Sequence, residues 1–175
     1  MPLRLTTLTM TFSFLLRPTL PLWKFCLTAF PLALVPSLAL QASAHLLLRA
    51  VGVDTSLIEA PSRSATAGEV LGAVAFAPVV ETYLLAFVLL VLLKLGCGRP
   101  FAAIVSALLW GALHATLGPL WFFGTVWSFF VFSCAFLGWR ERSFKQAFAA
   151  AAVPHALINL VVMVTVALVD GPKSR

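Results

Sequence analysis

Four side chains with acid, base or amide chemistry stand inside stretches that are otherwise apolar: Glu81, His114, His155 and Asn159. Ionisable groups are rare and costly in such places and are usually retained for function. Glu81 occupies the run Ala77–Pro78–Val79–Val80–Glu81–Thr82–Tyr83–Leu84–Leu85. A carboxylate there, beside an imidazole or a bound water, is poised to take a proton as a general base. The plainer alternative is a structural acid hydrogen-bonded to a neighbouring helix. Pro78 has no N–H to give to the Val74 carbonyl, so a kink is expected that opens room beside Glu81. His114 follows Trp110 by four residues and shares its helix face, while Gly111 lets another helix approach. His114 alone reads as interfacial packing; its companions give it weight. His155 and Asn159 are also four apart, so imidazole and carboxamide lie about one turn apart on one face. Two donors converging on one point suit an oxyanion developing on a scissile carbonyl. The same pair could instead fasten two helices, a contribution of about 1 kcal/mol or less. Pro154, just before His155, is expected to distort the helix there.

The elements that must position these groups follow from composition. Of 175 residues, 61% are hydrophobic and 10% charged, and the mean hydropathy is +1.02. Soluble domains carry about a quarter charged residues, so a water-soluble fold is excluded. A spanning helix needs about 20 apolar residues. Five segments approach that length: Phe25 to Leu48, Val70 to Leu95, Pro100 to Leu117, Pro119 to Leu137, and Ala147 to Val169. They lack the alternation of barrel strands, and backbone groups in lipid need internal partners. The expected fold is therefore an all-α membrane bundle of about five transmembrane helices, with a four-helix core. Residues 1–68 form an N-terminal segment with the first helix and a polar loop, 69–169 the core, and 170–175 a short tail. The loop carries Asp54, Glu59, Pro61, Ser62, Arg63 and Ser64. Simple counting sets Glu81 well inside the second helix and His114 near the outer end of the third, so either the helix boundaries lie several residues off or the helices are staggered.

The net charge of +6 reports topology and anionic headgroups rather than nucleic acid. Arg4, Arg17, Lys24, Lys94, Arg99, Arg140, Arg142 and Lys145 fall on the side of the N-terminus. Arg49, Arg63, Lys173 and Arg175 fall on the other. The positive-inside rule places the N-terminus in the cytoplasm, with the bacterial inner membrane as the expected location. Ala42–Ser43–Ala44 has the small-x-small look of a signal-peptidase site, against which stand a long preceding polar region and Pro31 and Pro36. Cys26, Cys97 and Cys134 lack paired or metal-ligand spacing and read as packing residues. The aromatic run of the fourth helix (Trp121, Phe122, Phe123, Trp127, Phe129, Phe130, Phe132) reads as packing and interface anchoring. Gly68 and Gly72 offer a small-xxx-small seat for another helix.

Taken together, the constellation resembles the CPBP family, the CAAX-protease and bacteriocin-processing enzymes, which are helical intramembrane endopeptidases. Three motifs of that family have counterparts, in order, over roughly residues 69–169. The first, an Ala-Pro element followed by paired glutamates and an arginine, is matched by Ala77–Pro78–Val79–Val80–Glu81–Thr82 with Ala86 at the arginine position. The second, an aromatic with a histidine four residues on, is matched by Trp110 and His114. The third, a histidine with asparagine four residues on, is matched by His155 and Asn159. The resemblance implies that Glu81 and His114 hold and deprotonate a water while His155 and Asn159 steady the oxyanion. Its substrates would be membrane-associated proteins or peptides: a lipidated tail, a peptide precursor or a C-terminal sorting helix.

Thr82 and Ala86 depart from the pattern. Losing an acid and a base together is charge-balanced and strands neither partner, yet it also fits a catalytically inactive relative serving as immunity factor or scaffold. A proton or solute conduit is a third reading, disfavoured by the lack of repeats. No cofactor is favoured. If the chain were a metalloenzyme, Glu81, His114 and His155 would be the ligands of a divalent ion such as zinc, though there is no His-Glu-x-x-His helix. Oligomeric state is not legible.

Overall fold

Inside a bilayer no water satisfies an open backbone group, and the chain answers with helix. The structure, a computed structural model, describes residues 14–17, 19–59 and 64–170, and those residues contain no strand. Helix α1 runs Leu22–Ala50, α2 Ala67–Lys94, α3 Arg99–Ala115, α4 Trp121–Trp139 and α5 Phe144–Asp170. Four are long and apolar enough to cross a membrane; α3, with 17 residues, is shorter. The ends fall within three residues of those expected from the sequence. Charged residues extend the helices slightly past their apolar runs: Lys24 opens α1, Glu69 opens α2 and Lys145 opens α5. Arg4, Pro61, Ser62, Arg63, Lys173 and Arg175 lie outside the described residues.

The joints are short. Gly96, with φ at +85°, turns the chain between α2 and α3, and Pro100 sits in the first turn of α3, where its missing N–H is no loss. The longer loop after α1 is tied down by polar contacts. His45 Nε2 lies 3.0 Å from both Glu59 Oε1 and Thr55 Oγ1, and the Leu120 N–H donates to the Ile58 carbonyl. Asp54 accepts from the backbone and hydroxyl of Ser56, which holds its carboxyl below the ordinary carboxylate value.

Helix α4 is the centre of the bundle. Its span is 56% buried, against 28% or less for the other three long helices. Phe129, Phe132, Phe136 and Trp139 are almost fully enclosed there. Helix α3 lies against it through Gly111, where an added Cβ would come within 3.0 Å of the Phe122 ring. The hydroxyl of Ser133 also donates across that interface to Ser106, both fully buried. Gly68 and Gly72, by contrast, face open space, with nothing among the described residues within 4 Å of an added Cβ. Outside, large apolar side chains such as Leu46, Phe76, Phe87, Leu109 and Leu168 stand exposed. Buried hydroxyls within and exposed leucines without invert the order of a soluble core; lipid is the solvent that makes this stable.

The prolines inside helices leave carbonyls without backbone donors, and side chains from neighbouring helices cap two such carbonyls. Pro36 cannot donate to Leu32, whose carbonyl instead accepts from the indole N–H of Trp127 on α4, at 2.9 Å. Near Pro78 the helix widens into a π turn over Gly72–Phe76, in which the Ala77 N–H reaches back to the Gly72 carbonyl. The Ala73 carbonyl thereby loses its ordinary donor, Ala77. The next residue, Pro78, has no N–H to replace it. Asn159 of α5 fills the role, its Nδ2 donating to Ala73 at 2.7 Å. The distortion expected at Pro78 thus takes the form of a widened turn one step earlier.

Candidate active site

Each of the four sequence candidates reaches the site from a helix whose local chemistry fixes its direction. Glu81 projects from α2 one turn beyond the π turn and Pro78. His114 is the penultimate residue of α3. Because α3 is short, its last turn ends at the depth of the middle of α2, so of the two alternatives it is the stagger that brings His114 to Glu81. His155 and Asn159 project from the middle of α5. All four line one cavity of about 150 Å³.

The carboxylate lies between the imidazoles. Glu81 Oε2 is 3.7 Å from His155 Nε2 and 4.0 Å from His114 Nε2. These separations are too long for direct hydrogen bonds. Each ring is oriented by something other than the carboxylate. His114 Nδ1 lies 2.9 Å from the Trp110 carbonyl, and since a carbonyl only accepts, Nδ1 carries the proton. The Nε2 lone pair of neutral His114 therefore faces Glu81. His155 is 6% exposed and stacks on Phe132, with centroids 5.0 Å apart and planes at 21°. Phe129 joins three of the site's rings: it stacks on Trp110 at 4.7 Å and lies 5.2 Å from the His114 ring and 5.4 Å from His155.

The aromatic run of α4 therefore does more than pack and anchor. Phe129, Phe132 and Trp121 form the walls that hold both histidines. Nothing in their types distinguishes them from core; only their neighbours do. Gln41 and Ser37 of α1 also line the cavity. They were legible in principle, as a hydroxyl and a carboxamide four residues apart within an apolar span. Tyr83, two residues after Glu81, packs on Phe144 and Phe148 of α5.

Thr82 and Ala86 are each 2% exposed. At these enclosed positions a threonine and an alanine leave no charge without a partner. As to metals, among the described residues no group of three His, Cys, Asp or Glu side chains is arranged to hold an ion. The Glu81–His114–His155 set offers suitable donor types, with separations of 3.7 and 4.0 Å, but not that arrangement.

A family model described as type II CAAX prenyl endopeptidase, Rce1-like, matches residues 63–161. That is more than half of the chain. The chain belongs to this family. The Rce1-like match runs from just before α2 into α5 and takes in Glu81, His114, His155 and Asn159, while α1 precedes it. No curated protein and no solved structure matches. The Rce1-like family, with its CAAX-protease relatives, fits an integral membrane protein of protease type.

Proposed function

We propose that the protein is an intramembrane endopeptidase that hydrolyses a peptide bond of a membrane-associated protein or peptide, with Glu81 as the base. The observation that carries this is the convergence of three helices on one carboxylate, with an imidazole on either side of it within 4.0 Å. A water oxygen placed off the line between Glu81 Oε2 and His114 Nε2 can lie at about 2.8 Å from both. Glu81 takes one of its protons, aided by the Nε2 lone pair of His114. The hydroxide oxygen bonds to the scissile carbonyl carbon, and the carbonyl π pair moves to oxygen. His155 and Asn159 donate to that oxyanion. Asn159 has two amide hydrogens, of which Ala73 takes one, so one remains for the substrate. Collapse breaks the C–N bond, and the proton held by Glu81 passes to the departing nitrogen. The step is derived from these residues without a metal. Strong chelators should leave the rate unchanged; loss restored by a stoichiometric divalent ion would show that a metal carries it.

The substrate class follows the family: a peptide tail held at the membrane, of which a lipidated C-terminus is the first candidate. The deciding experiment works before any substrate has been identified. Membranes from cells expressing the wild type or Glu81→Gln are compared by mass spectrometry of protein termini. New termini should appear with the wild type and vanish with Glu81→Gln, while both proteins insert equally. If the two sets of termini are the same, the peptidase reading is wrong.

A further inference from the structure

Helix α1 precedes the family-matched residues 63–161, yet it supplies part of the cavity wall through Ser37 and Gln41, one turn apart. Ser37 is 4% exposed, and its hydroxyl has no hydrogen-bond partner among the described residues. Other hydroxyls of the same cavity differ. Thr125 donates to the Trp121 carbonyl at 2.7 Å, and Ser128 to the Thr125 carbonyl at 2.9 Å. A serine in a helix ordinarily makes such a bond to its own backbone. An enclosed hydroxyl that does not is destabilising and leaves a hydrogen bond open to a bound ligand.

Gln41 is held open in a complementary way. A Cβ added to Gly124, which lines the same cavity, would fall 2.6 Å from Gln41 Oε1. The carboxamide thus lies in space that only glycine leaves on α4. Among the described residues no hydrogen bond holds it. A carboxamide presents one donor edge and one acceptor edge, and a hydroxyl can give and take. An extended peptide presents the same alternation along its backbone.

We propose that Ser37 and Gln41 are substrate-positioning residues that bind the main chain of an extended peptide and set which bond lies against Glu81. The proposal rests on the peptidase reading above. It assigns to α1 a recognition of backbone rather than side chains, so that affinity is sensitive to loss of a peptide N–H and tolerant of substituent size.

The test uses the full chain in detergent and a fluorescein-labelled, farnesylated peptide ending in a CAAX box. Binding is measured by polarisation to the Glu81→Gln protein, and cleavage is measured in the otherwise wild-type protein. Ser37→Ala and Gln41→Leu should each weaken binding and raise KM about tenfold, as expected for one hydrogen bond lost, with kcat far less affected. Gly124→Ala, which pushes only the end of a flexible side chain, should reproduce the Gln41→Leu effect. A peptide N-methylated at the recognised amide should bind about tenfold more weakly, with no further loss in Gln41→Leu. Ser37→Ala should also melt no lower than the parent, because the hydroxyl removed has no partner among the described residues. That combination, unimpaired stability with impaired binding, is not produced by a merely structural serine. If all three variants bind and cleave like the parent while Glu81→Gln still abolishes cleavage, this inference falls alone. If wild type and Glu81→Gln yield the same protein termini, the peptidase reading falls and takes this one with it.

Discussion

The imidazoles flanking Glu81 are held by different means, and the difference has consequences for substitution. His114 has, besides its ring contacts, a hydrogen bond to its own helix at Trp110, whereas His155 is held by ring contacts from Phe132 and Phe129. Removing the second kind of support should misplace an intact imidazole. Phe129→Leu keeps an apolar side chain but loses the faces against Trp110, His114 and His155. A reorientation of this sort is expected to lower kcat roughly ten- to hundredfold, with KM nearly unchanged, in the termini or peptide assay. His155→Ala, which removes the imidazole itself, should lower kcat by at least about a hundredfold. If Phe129→Leu leaves kcat intact, the aromatic wall is packing alone. At this scale the sequence showed the four polar groups plainly, since each interrupts an apolar run. It could not show Phe129, because an aromatic among aromatics carries no mark of what it touches.

Among the elements, the coupling between α2 and α5 is the least ordinary. The π turn and Pro78 together leave the Ala73 carbonyl without a backbone donor, and Asn159 supplies one. A structural duty is thereby joined to a residue one turn from His155. Asn159→Leu should destabilise the protein by about 1–3 kcal/mol, the usual cost of an enclosed polar group losing its partner. In a Pro78→Ala background the backbone N–H returns and the carbonyl has a second recourse. Asn159→Leu should then cost measurably less, and a double-mutant cycle of thermal or denaturant unfolding in detergent reads the difference. Strictly additive effects would mean that proline and asparagine are not coupled. Proline in an apolar run announced a distortion here. Its form as a widened turn, and its cap from a helix some eighty residues later, depended on which helices became neighbours.

For the molecule as a whole, the alternation of short turns and helices carries Lys24, Lys94, Arg99, Arg140, Arg142 and Lys145 to the ends expected to face the cytoplasm. The three cysteines give a direct measure of that orientation. Cys26 and Cys134 are buried, while Cys97, in the turn between α2 and α3, is partly exposed. A membrane-impermeant maleimide should therefore leave intact spheroplasts unlabelled at Cys97 and label them once the membrane is permeabilised. Ser56→Cys, on the exposed loop after α1, should show the opposite pattern. Reversed labelling would invert the topology. One junction of the bundle is itself polar: the Arg99 guanidinium donates to the Leu137 carbonyl at 2.6 Å and pairs with Glu141 at 3.1 Å. This closes the start of α3 against the end of α4 and helps set how far α3 reaches toward Glu81.

By itself the sequence determined the class of solvent, the number of apolar helices and the identity of the polar groups within them. These are local properties: hydropathy summed over about twenty residues suffices to commit a segment to lipid, and a carboxylate in such a segment stands out wherever it lies. Tertiary structure alone decided that the short α3 ends at the level of Glu81, that α4 takes the centre and walls both imidazoles, and that α1 contributes Ser37 and Gln41 to the same cavity. The physical reason is that the depth and rotation of a helix in a bundle are set by what packs against it. Those neighbours come from distant parts of the chain, so the spacing within any one helix leaves them open.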